Sequence, residues 1–285
     1  MTTATAATPP ASDSQTPRKP VSVLRQALRL TRTEFTLFYR YQMALYSAAL
    51  PLIFLLPLSV FEPYDVLPGV DTTVLSLTWF FPIAALTVGL SHVPNVYAIR
   101  RERLILKRLR VSGVTPAAIF TSTVLSVFSV VVVQTVLVAA LLAALKEVFP
   151  TAPVLFLVSL ALTTVVMVLL GVLIANFARN GESAQIISMV PFFLLIMLSG
   201  LFGPVDLLPD GIAMTIGLLP MLPAVRLAQS AYLGYDLFDG ISNAEAATGV
   251  DLWLAAGPSL LILVAWMVLL TLLLRIFQWD PRVNK

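Results

Sequence analysis

Six stretches of this chain contain no Asp, Glu, Lys or Arg: 41–61, 72–99, 111–145, 148–178, 183–205 and 252–274. A helix needs about 20 apolar residues to cross the hydrocarbon core of a bilayer, and each stretch is long enough. The remaining composition agrees. Only 12% of the 285 residues are charged and 58% are hydrophobic, whereas a soluble domain carries about a quarter charged residues. Water-soluble fold classes are excluded. A seventh uncharged stretch, 211–225, is fifteen residues long and contains Pro220 and Pro223. That is too short to span, and it reads as a re-entrant or interfacial piece. The expected fold is an all-α polytopic membrane protein with spans at about 41–61, 74–99, 116–145, 153–178, 184–204 and 252–275, and a short re-entrant extracellular hairpin between the last two.

Lys and Arg set the orientation, because basic residues flanking spans stay on the cytoplasmic side. Sixteen of the eighteen fall on one side of a six-span arrangement: the N-terminal flank, the second and fourth connections and the C-terminus. The first, third and fifth connections hold only Lys146 and Arg226, together with ten of the fifteen acids. Both termini are therefore expected in the cytoplasm, with the chain in the plasma (inner) membrane.

Residues 1–20 are rich in Thr, Ala, Pro and Ser and read as a disordered cytoplasmic tail. Residues 21–40 place Val21, Leu24, Leu28, Phe35 and Phe38 near helical spacing, with Arg25, Arg29 and Arg32 between them. This predicts an amphipathic helix on the inner membrane surface. The rest, 41–280, is the transmembrane domain. The chain has no cysteine and one histidine, His92, so disulfides, cysteine-metal sites and multi-histidine metal sites are excluded. No GxxxxGK[ST] phosphate-binding pattern occurs.

The second connection, "RRERLILKRLR" from Arg100 to Arg110, holds six of the eighteen basic residues. Its plain reading is a topological signal. Three details point to a docking helix instead. Leu104, Leu106 and Leu109 interleave with the charges; Glu102 lies among them, which orientation does not require; and "VSGVTP" follows, with Gly113 as a helix stop and Thr115 and Pro116 as the cap and first turn of the next helix. A short, well-terminated helix suits a partner's groove.

"RRERLILKRLRVSGVTP" resembles the stretch after the second span in permeases of the ABC-2 exporter family. There an acidic residue, a Gly-Thr pair, a Leu-Lys-Arg-Leu-Arg run and a Ser/Thr-Pro commonly follow one another. Glu102, Leu106, Lys107, Arg108, Leu109, Arg110, Thr115 and Pro116 match, while Leu104 and Ile105 stand where the Gly-Thr pair is usual. "LGVLIANFARNGESAQIISMVPFFLLIMLSGLFGPVDLLPDGI" is similar to the family's fourth-to-fifth span region, and "LLPMLPAVRLAQSAYLG" to the hairpin that follows. The resemblance covers roughly residues 20–280. It implies a dimer of six-helix domains, a homodimer or a pairing with a paralogous permease. It implies a separate ABC ATPase subunit binding in trans. It also makes the second connection the cytoplasmic coupling helix, with Arg101, Glu102, Leu106, Lys107, Arg108, Leu109 and Arg110 as the coupling residues. ATP is then used by the partner. This chain binds no cofactor and no nucleic acid, and is not itself an enzyme.

Within the spans, His92, Asn95, Gln134 and Gln185 are candidates for a translocation route, since intramembrane polar side chains are functional by default. Each has a structural reading as well. Pro94 should kink the second span, with Ser91 or Asn95 bonding the freed carbonyls, and Gln134 and Gln185 can bond between helices. The expected function is the permease subunit of an ATP-driven exporter of a lipophilic or amphipathic substrate: a drug, lipid or glycolipid. The alternative is a secondary transporter or channel with no ATPase partner.

Overall fold

The computed structural model describes residues 22–40, 63–201, 205 and 208–280. The predicted first span, 41–61, and the tail 1–20 lie outside the described residues. After α1 (Val23–Arg40) comes a small hairpin of β1 (Asp65–Leu67) and β2 (Val70–Asp71), then α2 (Thr72–Thr87), a π-helical turn Val88–His92 and α3 (Val93–Glu102). The short α4 (Ile105–Val111) leads into α5 (Pro116–Lys146), α6 (Pro153–Ala175) and α7 (Gly181–Met197). Two further helices, α8 (Asp210–Gly217) and α9 (Met221–Leu233), are bent by 78° at a short break. A second small hairpin, β3 (Tyr235–Asp236) with β4 (Glu245–Ala246), precedes α10 (Gly249–Leu273) and a closing 3-10 turn Leu274–Ile276.

Among the described residues, four helical units are long and apolar enough to cross a membrane: Thr72–Glu102, Pro116–Lys146, Pro153–Ala175 and Gly249–Ile276. The bent pair α8–α9 makes a fifth if taken as one span. Helix α7 is apolar but only 17 residues long, shorter than the predicted 184–204. Its Asn180 cap and Ser183 satisfy each other's backbone N–H groups in a capping box, which starts the helix three residues early.

Contacts at the two ends show how the helices run. Lys146 Nζ, at the end of α5, lies 2.6 Å from Asp71 Oδ2, which caps the start of α2. Thr151 and Ala152, at the start of α6, donate backbone hydrogen bonds to Tyr232 O and Ala231 O of α9. These features define an acidic end. The opposite, basic end gathers Glu102, α4, Thr115, Ala175, Gly181 and Phe277. The units α2–α3, α6 and α10 therefore run from the acidic to the basic end, and α5 runs back between them.

Helix α6 sits at the centre, packed against α2, α3, α5, α9 and α10. Near the acidic end, Phe81 of α2, Phe156 of α6 and Tyr232 of α9 form a triad with ring centroids 4.8, 5.0 and 5.2 Å apart, within the range of favourable edge and tilted contacts. Helix α9 is almost wholly buried, and Gln229 Nε2 donates to Thr78 Oγ1 of α2 at 3.2 Å. The predicted re-entrant piece 211–225 thus continues to Leu233. The uncharged run stops at Arg226, but the Arg226 guanidinium donates to Phe238 O, so a charged residue is accommodated inside the helix.

The sequence predicts a kink at Pro94; the structure shows a π-helical turn just before it, within one helical unit Thr72–Glu102. Pro94 lacks an N–H and its ring crowds the carbonyl four residues back. The chain opens one π turn over Val88–His92, where Val93 N–H reaches Val88 O. At that turn the helix meets α6 through glycines. A Cβ on Gly89 would lie 2.7 Å from Met167 Cβ, and one on Gly171 would strike Gly89 O. Small residues permit such a close approach in membranes.

Helix α1 lies along α5. Ala27 is buried, Gln26 Oε1 accepts from Thr115 N–H at 3.3 Å, and Leu24 and Leu28 stay exposed with Arg25, Arg29 and Arg32. A helix thus occupies Val23–Arg40, within the predicted 21–40.

Candidate functional site

The basic segment is not one helix. Helix α3 ends at Glu102, and Leu104 adopts a left-handed conformation with φ 58° before α4 begins at Ile105. A bulky L-residue in this region is an outlier, and it stands where the resembling family usually has glycine. Gly113, at φ 86°, ends α4 as expected. Thr115 caps α5 by accepting from Ala118 N–H, with Pro116 in its first turn.

The break divides the seven coupling candidates. Arg101 turns inward and is 1% exposed. Its guanidinium donates to O of Ala175, the last residue of α6, at 2.9 Å and to Ala178 O three residues beyond it. Carbonyls at a helix C-terminus have no intrahelical donor, so Arg101 acts as a side-chain cap that fastens α3 to α6. Glu102 is exposed beside the turn. On α4, Leu106 is fully buried in the main core and Leu109 packs partly against it. At 100° per residue, Lys107, Arg108 and Val111 lie on the opposite face, and all three are exposed. The expected stripe of Leu104, Leu106 and Leu109 is corrected. Leu104 lies in the turn before the helix and is 40% exposed.

The C-terminal segment closes over this helix. Lys107 Nζ is 3.1 Å from Asp280 Oδ1, and the Arg110 guanidinium lies 4.9 Å from the Trp279 ring centroid. Sequence reasoning missed these contacts because they join positions about 170 residues apart.

The four route candidates occupy different environments. His92 ends the π turn and is half-buried. Asn95, also half-buried, faces the start of α7, with Oδ1 placed 3.2 Å from where a Cβ on Gly181 would stand. Gln134 is 4% exposed inside the bundle. Gln185 is exposed on α7.

At the acidic end, Asp71 accepts from Val74 N–H at 2.7 Å and from Lys146. Burial pushes its carboxyl pKa up, but these hydrogen bonds outweigh it, and the pKa falls below the ordinary 3.8.

The arrangement defines a class: a polytopic helical membrane protein whose basic end presents a two-turn helix, rooted by Leu106 and charged on its outer face. Residues 34–276 match the family described as ABC-2 family transporter protein, and the chain belongs to that family. No curated protein matches it. It is thus a membrane transport subunit rather than a catalytic one, from a family that normally works with an ATPase subunit.

Proposed function

We propose that this chain is the permease subunit of an ATP-driven exporter, coupled through α4 to a separate ABC ATPase. The observation that carries the reading is the two-sided build of α4. Leu106 ties the helix into the core, while Arg108 and Val111 face away from the bundle with Glu102 beside them. A force applied to the outer face reaches the spans through a buried side chain instead of being absorbed by a loose loop. Lys107, Arg108, Arg110, Leu106 and Leu109 keep coupling roles in this reading, and Arg101 acts by holding α3 on α6.

In the same reading the basic end is cytoplasmic, α7 and residues 41–61 complete six spans, α8–α9 re-enter from the outer face, and two permeases pair. The cargo is lipophilic or amphipathic, and His92, Asn95, Gln134 and Gln185 are the polar groups placed to meet it. The test is capture of the ATPase by the purified permease, with transport into inside-out vesicles measured in parallel. Arg108→Ala and Glu102→Lys should insert normally, because each leaves at least five basic residues in the connection. They should lose ATPase capture and transport, since a charged contact that loses its partner or meets a like charge costs about 2–5 kcal/mol when buried at an interface. Normal capture and transport by both variants would reduce the segment to a topological anchor and favour a transporter or channel without an ATPase.

A further inference from the structure

Four consecutive residues beyond the last span touch four different elements of the basic end. Phe277 is buried, its ring 5.9 Å from Tyr97 of α3 and 5.7 Å from Phe120 of α5. Gln278 N–H donates to Asn176 Oδ1 at 3.0 Å, and Asn176 is the residue that ends α6. Trp279 packs on Phe120 and Phe277 at 5.5 and 5.0 Å, with the Arg110 guanidinium over its ring. Asp280 pairs with Lys107. The run begins one residue past the region that matches the family, which ends at 276.

Helix α4 needs such support. Seven residues make two turns, far below the length at which a helix is stable alone in water, and among the described residues Leu106 and Leu109 are what this helix packs into the core. The Lys107–Asp280 pair has side-chain exposures of 58% and 71%, so water screens it and it fixes little. The Trp279 ring lies between an aromatic floor and a guanidinium, an arrangement that holds both partners in a defined geometry.

We propose that residues 277–280 form a strap that positions α4 on the bundle, with Trp279 as its positioning residue. The strap is continuous with α10, so any shift of α4 is also a shift of the end of α10. Its bearing on coupling rests on the ATPase reading above, but its existence does not, and the test uses the permease alone.

The chain lacks cysteine, so spin-label pairs can be introduced without background. One pair, at Arg108→Cys and Arg275→Cys, reports α4 against the end of α10. A control pair at the exposed Val133→Cys and Val154→Cys reports α5 against α6. In detergent-purified permease, Trp279→Ala should roughly double the width of the 108–275 distance distribution and leave the 133–154 distribution unchanged. Trp279→Phe should restore the narrow width, and Asp280→Asn should stay near wild type. Broadening of both pairs by Trp279→Ala would make the tryptophan a general stability element, and broadening of neither would make the strap inert; each result overturns the proposal. ATPase capture by Trp279→Ala and by the parent chain, both with Arg108 and Arg275 intact, separates the two ideas, because failure of the parent chain to capture bears on the coupling reading and not on the label distances.

Discussion

Arg101 and Arg108 lie seven residues apart in one basic run, and their replacement should have opposite consequences. Arg101→Ala removes two hydrogen bonds from a charged donor to Ala175 O and Ala178 O. Such bonds contribute about 1.5–3 kcal/mol each. The variant also escapes the desolvation of a buried guanidinium, which offsets part of that loss. The expected net destabilisation is about 3 kcal/mol, a fall in melting temperature of about 5–10 °C for a chain of this size. Arg101→Lys should fall between, because an ammonium is a compact point donor without the planar fork that reaches two carbonyls at once. Arg108→Ala changes an exposed side chain and should stay within about 0.5 kcal/mol of wild type. The assay is thermal unfolding of the detergent-purified variants, followed by size-exclusion of the surviving fraction, with ATPase capture measured on folded protein below the transition. If Arg101→Ala melts with wild type yet loses capture as Arg108→Ala does, the inward placement of Arg101 is wrong and both arginines face the partner.

Leu104→Gly should raise the melting temperature, since the left-handed conformation costs an L-residue about 1–2 kcal/mol that glycine does not incur; an unchanged or lower value would show that the turn is not strained. The Asp71–Lys146 pair stabilises the fold while Asp71 is ionised. Its folded pKa is depressed, so the contribution is present at neutral pH, above the ordinary 3.8, and is lost as pH falls through the folded value. Lys146→Met should lower stability by no more than about 1 kcal/mol at pH 7, given the partial exposure of the pair, and the gap from wild type should close below pH 3.8. Gly171→Ala should sharply reduce the folded yield, because its Cβ would meet Gly89 O; normal yield would mean the α3 and α6 units sit farther apart. Single cysteines at Asp65, Glu147 and Glu245 should react with an impermeant thiol reagent on whole cells, and one at Lys107 should not; labelling at 107 would reverse the proposed orientation.

Much of the fold is legible because bilayer burial excludes charge over long runs. A helix runs from Pro116 to Lys146, over the uncharged run that the sequence shows there, since Thr115, Pro116 and Lys146 mark its ends chemically. The site was less legible. Charge count treats Arg101 and Arg108 alike, yet the turn at Leu104 sends one inward and leaves the other outside. Helical periodicity run across Arg100–Arg110 assumes an unbroken helix, and the break shifts the stripe from Leu104 to Leu106 and Leu109. The limits of α7 and α9 were missed for local reasons: the capping box at Asn180 extends one, and the backbone partner of Arg226 lets the other pass the charge. Contacts such as Gln278 with Asn176 join segments about a hundred residues apart and leave no trace in local pattern.

The glycine contact at the π turn and the Arg101 cap fasten the same two helical units at two different depths. One fixing point would leave a hinge, and two leave neither sliding nor splaying. The Thr72–Glu102 and Pro153–Ala175 units are in effect a single keel. Gly89 and Gly171 interlock like teeth, so translation of one helix along the other would drive backbone into backbone, and Arg101 stops the basic ends from parting. Relative motion of these two units is therefore resisted at both contacts, in translation by the glycines and in splaying by the arginine.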